Sequence, residues 1–125
     1  MKRLAGRTAV ITGAGSGFGL ELSRLLAREG MSLVMADVQA GALQAAAAEV
    51  RGLGAEVLAQ VVDVSKAEQV EALGAATLAR FGAPGVVFNN AGVGAGGLIW
   101  EHTLKDWEWV VGVNLMGVAH GVRVF

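Results

Sequence analysis

Four short apolar runs recur along the chain in units of roughly 25 residues, each closing on a polar residue and each followed by a stretch with helical spacing. The first run, Thr8 to Ile11, gives way to Phe18, Leu22, Leu25 and Leu26 at helical spacing, and Gly30 supplies the stop. The second, Ser32 to Ala36, closes on Asp37 and precedes AGALQAAAAEV, whose alanines favour helix until Gly52 and Gly54 end it. The third, EVLAQVV, closes on Asp63. Ser65 then stands three residues before Glu68, the spacing of a capping box, which predicts a helix from Lys66 to about Phe81 with Gly82 and Pro84 as its stop. The fourth, Val86 to Phe88, closes on Asn89; beyond a glycine-rich loop, Thr103 and Asp106 mark another helix start ahead of Trp107, Val110, Val111 and Leu115, and HGVRVF still reads as helix. Strands that alternate with helices in this way pair in parallel through crossovers. The expectation is an α/β fold with a doubly wound parallel sheet, a single domain over residues 1–125 that stops after the fourth strand and its following helix and is incomplete at its C-terminus.

Composition narrows what such a sheet could serve. Hydrophobic residues make up 54% of the chain and are broken up by 19 glycines, which suits short strands covered on both faces. No run approaches the ~18 uninterrupted apolar residues of a membrane span. Lys2 and Arg3 are followed by Arg7 and glycine, not by the apolar block of a signal peptide, so the expected location is the cytoplasm, with no membrane partner. Without cysteine there is no disulfide, thiolate nucleophile or cysteine-type zinc site, and His102 and His120 lack the HExxH spacing, so no metal is expected. The net charge is −1 and Arg24, Arg28, Arg51, Arg80 and Arg123 are scattered, which gives no footprint for nucleic acid.

Glycines 13, 15, 17 and 19 crowd the turn between the first run and its helix. A chain turning there exposes helix amides that have no partner within the helix, and with the helix dipole these make an anion site suited to phosphate. Gly13 permits the tight turn, Gly17 the approach of a pyrophosphate to the backbone, and Gly19 close packing of helix on strand. The spacing is not GxGxxG and no GxxxxGK[ST] occurs, which argues against a phosphate-loop nucleotidase; a flexible connection is the other reading of the turn. Asp37 lies 18 positions past Gly19 at the end of the second run, where an acid can accept hydrogen bonds from an adenosine ribose and repel a 2′-phosphate. Neither Ser16 nor Val38 offers a positive charge, so NAD is expected over NADP. Asp63 and Val64 could meet an adenine at the same edge, or Asp63 could be a helix-entry residue.

Taken in order, TGAGSGFG at 12–19, Asp37, Asp63-Val64, NNAG at 89–92 and VNL at 113–115 resemble the short-chain dehydrogenase/reductase family from about Gly6 to Phe125. The resemblance implies a Rossmann-like fold and an NAD(P)-dependent oxidoreductase acting on a small alcohol or ketone, with a homo-oligomer as the usual assembly. It implies that Gly13, Ser16, Gly17, Phe18 and Gly19 hold the adenosine ribose and pyrophosphate, Asp37 the ribose hydroxyls, Asp63 and Val64 the adenine, and Asn90, Ala91 and Gly92 the nicotinamide side. Asn89 and Asn90 also have a structural reading, satisfying backbone groups at a strand end. Asn114, a polar residue in an apolar helix, must find partners; the resemblance makes it catalytic, ordering a water of the proton relay, and helix packing is the alternative. Trp100, Trp107 and Trp109 read as packing and substrate-cleft edge, and His120 as a packing residue.

The resemblance further implies a tyrosine that passes the proton, a lysine four positions later, and an upstream serine, all beyond the VNL helix. The 125 residues contain no tyrosine, and Lys2, Lys66 and Lys105 stand at unsuitable places. The chain alone is therefore expected to be inactive. Its alternatives are a dinucleotide-binding fragment or scaffold and a half-domain needing a complementing chain. An open edge at Val86 to Phe88 is also expected to leave it marginal or self-associating.

Overall fold

Strand β1, Thr8–Thr12, is buried along its whole length, as befits a strand with a neighbour on each edge and helices on each face. The computed structural model describes residues 3–125, so Lys2, which the sequence sets apart from the motifs, lies outside the described residues. After β1 come α1 (Gly17–Arg28), β2 (Ser32–Asp37), α2 (Ala40–Gly52), β3 (Val57–Val61), α3 (Ala67–Phe81) and β4 (Val86–Phe88). A single 3-10 turn at Ile99–Glu101 leads into α4 (Leu104–Val111), a π-helical turn at Gly112–Met116, and α5 (Gly117–Val124).

The four strands run parallel in the order β3-β2-β1-β4, the doubly wound Rossmann-like arrangement. Register sets Val10 between Val34 and Val87, and Ile11 between Met35 and Phe88. Because side chains alternate across the sheet, Ala9, Ile11, Leu33, Met35 and Val57 form one core with Leu26, Leu43, Ala47 and Val50 of α1 and α2. Val10, Val34 and Ala36 form the other with Val70 and Leu73 of α3 and with Val113. The same register brings Thr12, Asp37 and the residues after β3 and β4 to the carboxyl edge of the sheet, where an open α/β sheet forms its crevice.

The Thr103–Asp106 cap forms as a reciprocal capping box: the Asp106 N–H donates to Thr103 Oγ1 at 3.2 Å, and the Thr103 N–H to Asp106 Oδ2 at 2.9 Å. The Ser65–Glu68 box does not form. α3 starts one residue later, with Lys66 at the N-cap and no side-chain cap, because Asp63 Oδ1 already accepts from both the Ser65 N–H (3.0 Å) and the Ser65 hydroxyl (2.6 Å). The local Asx turn wins over the helix cap.

Backbone angles remain right-handed helical through Val111, Gly112, Met116 and Gly117, so α4, the π turn and α5 form one continuous rod. The rod lies close through its glycines. A Cβ on Gly117 would meet Val64 Cγ2 at 2.6 Å, and one on Gly121 would collide with the Asn89 side chain.

Candidate functional site

The crevice at the carboxyl edge is a cleft of about 420 Å³, walled by the glycine turn, the ends of β2 and β3, the Asn90–Val93 segment, and Trp109 and Val113 of the rod. Gly13, the residue that follows β1, lines it. Gly13 has φ +65°, a conformation that L side chains rarely adopt, and a Cβ there would lie 2.9 Å from Ala91 Cα. Gly19 is closed off differently, since its Cβ would run into the Gly13 carbonyl. These two glycines let the turn, the helix and the post-β4 strand end meet in one layer.

Thr12 ties that layer together. Its buried hydroxyl accepts the N–H groups of Asn90 and Ala91, both at 3.0 Å, and donates to the Phe88 carbonyl at 3.4 Å. The Asn90 carboxamide answers from the other side, donating from Nδ2 to the carbonyls of Thr12 at 3.0 Å and Gly13 at 3.4 Å. Asn90 thus carries the structural job among its two readings, and Ala91 and Gly92 are held beside the glycine turn. No side chain of Asn89 occupies the cleft wall; Asn89 packs against Gly121 instead.

The first intrahelical bond of α1 runs from the Leu20 N–H to the Ser16 carbonyl at 3.2 Å, so the amides of Gly17, Phe18 and Gly19 precede the helix ladder. Ser16 is the N-cap and its hydroxyl caps nothing. Gly17 has φ +54° and no atom lies within 4 Å of the place its Cβ would take. Phe18 is 87% exposed on the first turn and lines the cleft mouth.

Asp37 ends β2 facing this helix terminus, and its carboxylate is held on both oxygens: the Gly15 N–H donates to Oδ2 and the Gln39 N–H to Oδ1, each at 2.9 Å. Each oxygen keeps a further acceptor site for a ligand hydroxyl. Gly15 belongs to this contact sterically as well, because a Cβ there would stand 2.9 Å from Asp37 Oδ2. The cleft lining carries no Lys, Arg or His among the described residues.

Asp63 and Val64 enter the cleft from the end of β3. The Asp63 N–H donates to Gln69 Oε1 at 2.7 Å, and its Oδ1 is taken up by Ser65, which leaves Oδ2 for any outward contact. The Val64 carbonyl accepts from His120 Nδ1 at 2.9 Å, so His120 is a satisfied packing residue. Asn114 sits in the π turn and its carboxamide pairs with both backbone groups of Val93: the Val93 N–H donates to Oδ1 at 2.8 Å and Nδ2 donates to the Val93 carbonyl at 2.7 Å. Helix distortions of this kind concentrate at functional sites.

The structure therefore brings Gly13, Ser16, Phe18, Asp37, Asp63, Val64, Asn90, Ala91 and Gly92 to one cleft, with Gly17 and Gly19 shaping its helix terminus and Asn114 bracing its far side. Thr12, Gly15, Gln39 and Gln69 belong to the site without having been singled out. Trp109 lines this cleft, whereas Trp107 lines a second, separate pocket and Trp100 is exposed. Lys66 and Lys105 line neither. Among the described residues no group of His, Cys, Asp and Glu could hold a metal, and no helix is long and apolar enough to cross a membrane.

The fold and the carboxyl-edge cleft define a Rossmann-like α/β protein. The chain belongs to the short chain dehydrogenase family, whose profile matches residues 7–125. It is 55% identical to a short-chain dehydrogenase/reductase from Burkholderia phymatum crystallised in complex with NAD, with a TM-score of 0.97 over 100% of this chain and 44% of that one. A metagenomic short-chain oxidoreductase in complex with NADP aligns at 31% identity and a TM-score of 0.91, over 97% of this chain and 55% of that one. A probable oxidoreductase, EphD, of Mycobacterium bovis is 40% identical over 115 residues, 92% of this chain and 19% of the relative. The chain thus spans from about a fifth to just over half the length of these relatives.

Proposed function

We propose that the cleft holds NAD and that the protein transfers a hydride between the nicotinamide and a small alcohol or ketone. The observation that carries the reading is Asp37, a carboxylate fixed by two backbone N–H groups at the end of β2, opposite the amides that open α1. The donor set fits a dinucleotide: amides for a pyrophosphate at Gly17, Phe18 and Gly19, acceptors for ribose hydroxyls at Asp37, and an apolar slot between Val38 and Val64 for a base. When bound, the nicotinamide supplies the hydride chemistry.

The chain's own residues bind and orient. Asp37 accepts from the ribose hydroxyls and, with no cation lining the cleft among the described residues, repels a 2′-phosphate, which selects NAD over NADP. Asp63 Oδ2 receives an amino group of the base, and Asn90, Ala91 and Gly92, held by Thr12, flank the nicotinamide. Asn114 keeps one N–H and one acceptor site beyond its pairing with Val93, enough to hold a water in a proton relay. The phenol that would hand over the proton is not supplied by these 125 residues, which contain no tyrosine, so this chain carries binding and turnover requires residues outside it. The family resemblance supports a homo-oligomer and a cytoplasmic location.

Equilibrium titration with NAD and with NADP tests the binding reading. NAD is expected to bind at least about tenfold more tightly, roughly 1.4 kcal/mol, and an equal or reversed preference would overturn the assignment of Asp37. NADH formation across a panel of secondary alcohols tests turnover in the protein as it occurs naturally.

A further inference from the structure

Trp109 and Val113 stand four residues apart on the rod and so share one helical face. Val113 is buried against Val62 and Val64, the residues flanking Asp63 at the end of β3. Trp109, one turn closer to the rod's N-terminus, stays 50% exposed at the rim of the same cleft. Val38, 61% exposed immediately after Asp37, lines the same cleft. Half an indole left in water at the mouth of a cleft is apolar surface that a bound ring can cover by stacking. The chemistry around it is that of a base slot, with apolar side chains on its faces and the Asp63 carboxylate at its edge. Trp107 lines another pocket and Trp100 neither, so Trp109 is the indole that meets this cleft.

Resting on the reading of the cleft as a dinucleotide site, we propose that Trp109 stacks on the adenine ring of the bound cofactor and forms the outer wall of its base pocket. Its contribution then belongs to the adenosine half of the ligand alone, and every adenosine-bearing ligand shares it.

The test uses the protein as it occurs naturally, with AMP, ADP-ribose and nicotinamide mononucleotide as probes in titration calorimetry. Base–aromatic stacking predicts that Trp109→Ala weakens AMP and ADP-ribose by about 10-fold to 100-fold and leaves nicotinamide mononucleotide unchanged, while Trp109→Phe stays within about threefold of the parent. Trp109 is half exposed, so the Phe variant keeps the fold testable if the Ala variant proves unstable. A second readout is fluorescence. Trp100→Phe and Trp107→Phe leave Trp109 as the one indole of these 125 residues, and the AMP-induced quenching that adding Trp109→Phe removes is assigned to it. Unchanged AMP affinity in Trp109→Ala, or no quenching by a saturating AMP concentration, would overturn the stacking. Failure of the parent protein to bind AMP, ADP-ribose and NAD would instead overturn the dinucleotide reading beneath it.

Discussion

The two flanks of β1 are built to different degrees of closure. On one side β2 is buried over Leu33–Ala36, and α1 and α2 seal it with Leu26, Leu43, Ala46, Ala47 and Val50. On the other side β4 is only half-buried along its three residues and pairs with β1 alone. α4 buries no residue, α5 buries only Gly117 and Gly121 and leaves Val122 71% exposed, and Leu115 in the π turn between them is 62% exposed. The difference separates two tasks. The β1–β2 side has a closed core under α1 and α2 that can hold the end of β2 rigid, which a cofactor site requires, while β3, the sheet's other edge strand, is fully buried at Val57 alone. The β4 side presents apolar rod and open strand edge, surface that a folded protein ordinarily covers.

The sharpest way to break this comparison is to insert one methyl group on each side. Gly19→Ala drives a Cβ into the Gly13 backbone carbonyl, which cannot swing aside, and should cost about 3 kcal/mol or more. Gly121→Ala meets the end of the Asn89 side chain, which can rotate away, and should cost about 1 kcal/mol. Paired denaturant unfolding curves measure both, and equal costs would erase the distinction. Large-to-small changes ask the same question of the cores. Leu43→Ala empties a fully buried position and should lose about 2–5 kcal/mol, while Leu115→Ala should change the stability of the isolated chain by less than about 0.5 kcal/mol.

Within the closed side, Thr12→Val removes the acceptor for the Asn90 and Ala91 amides and should cost about 1–3 kcal/mol while weakening NAD binding. Gly15→Ala should leave stability nearly unchanged yet displace the Asp37 carboxylate. The expected signature is a several-fold loss of preference between NAD and NADP, read as a ratio of dissociation constants. The smallest effect concerns the surface pair of Arg24 and Glu49, joined at 2.9 Å between α1 and α2. The Arg24 guanidinium holds the Glu49 carboxyl below its usual range, mainly by hydrogen bonding. A carboxyl depressed on folding stabilises the fold above its unfolded pKa and loses that contribution as pH falls through the folded value. Solvent screens the pair, so Arg24→Ala should flatten the acid limb of the melting-temperature profile only slightly.

Much of this architecture was legible in the sequence because its signals are local. The strand runs at Thr8, Ser32 and Val86 and the helix stops at Gly30 and Gly82 depend on neighbours a few residues away, and the observed elements start and end within a residue or two of them. What escaped was non-local or competitive. Thr12 acts on Asn90 and Ala91 from 78 and 79 residues away, and no spacing rule reports that. By sequence Gly15 is one more glycine of a turn, and only the fold sets it against Asp37. Ser65 matched a capping box, but Asp63 captured its hydroxyl first. Trp107 and Trp109 stand two positions apart on α4 and so face different ways, but which of them meets the cleft is set by how the rod packs on the sheet.

Amide hydrogen exchange with and without NAD tests the central claim most directly, since it reports where the ligand sits residue by residue. The account predicts added protection at Gly13–Gly19, Asp37–Gln39, Asp63–Ser65 and Asn90–Val93, with little change along the exposed face of α5. Protection confined to the β4 edge and α5, or no change at saturating NAD, would contradict it.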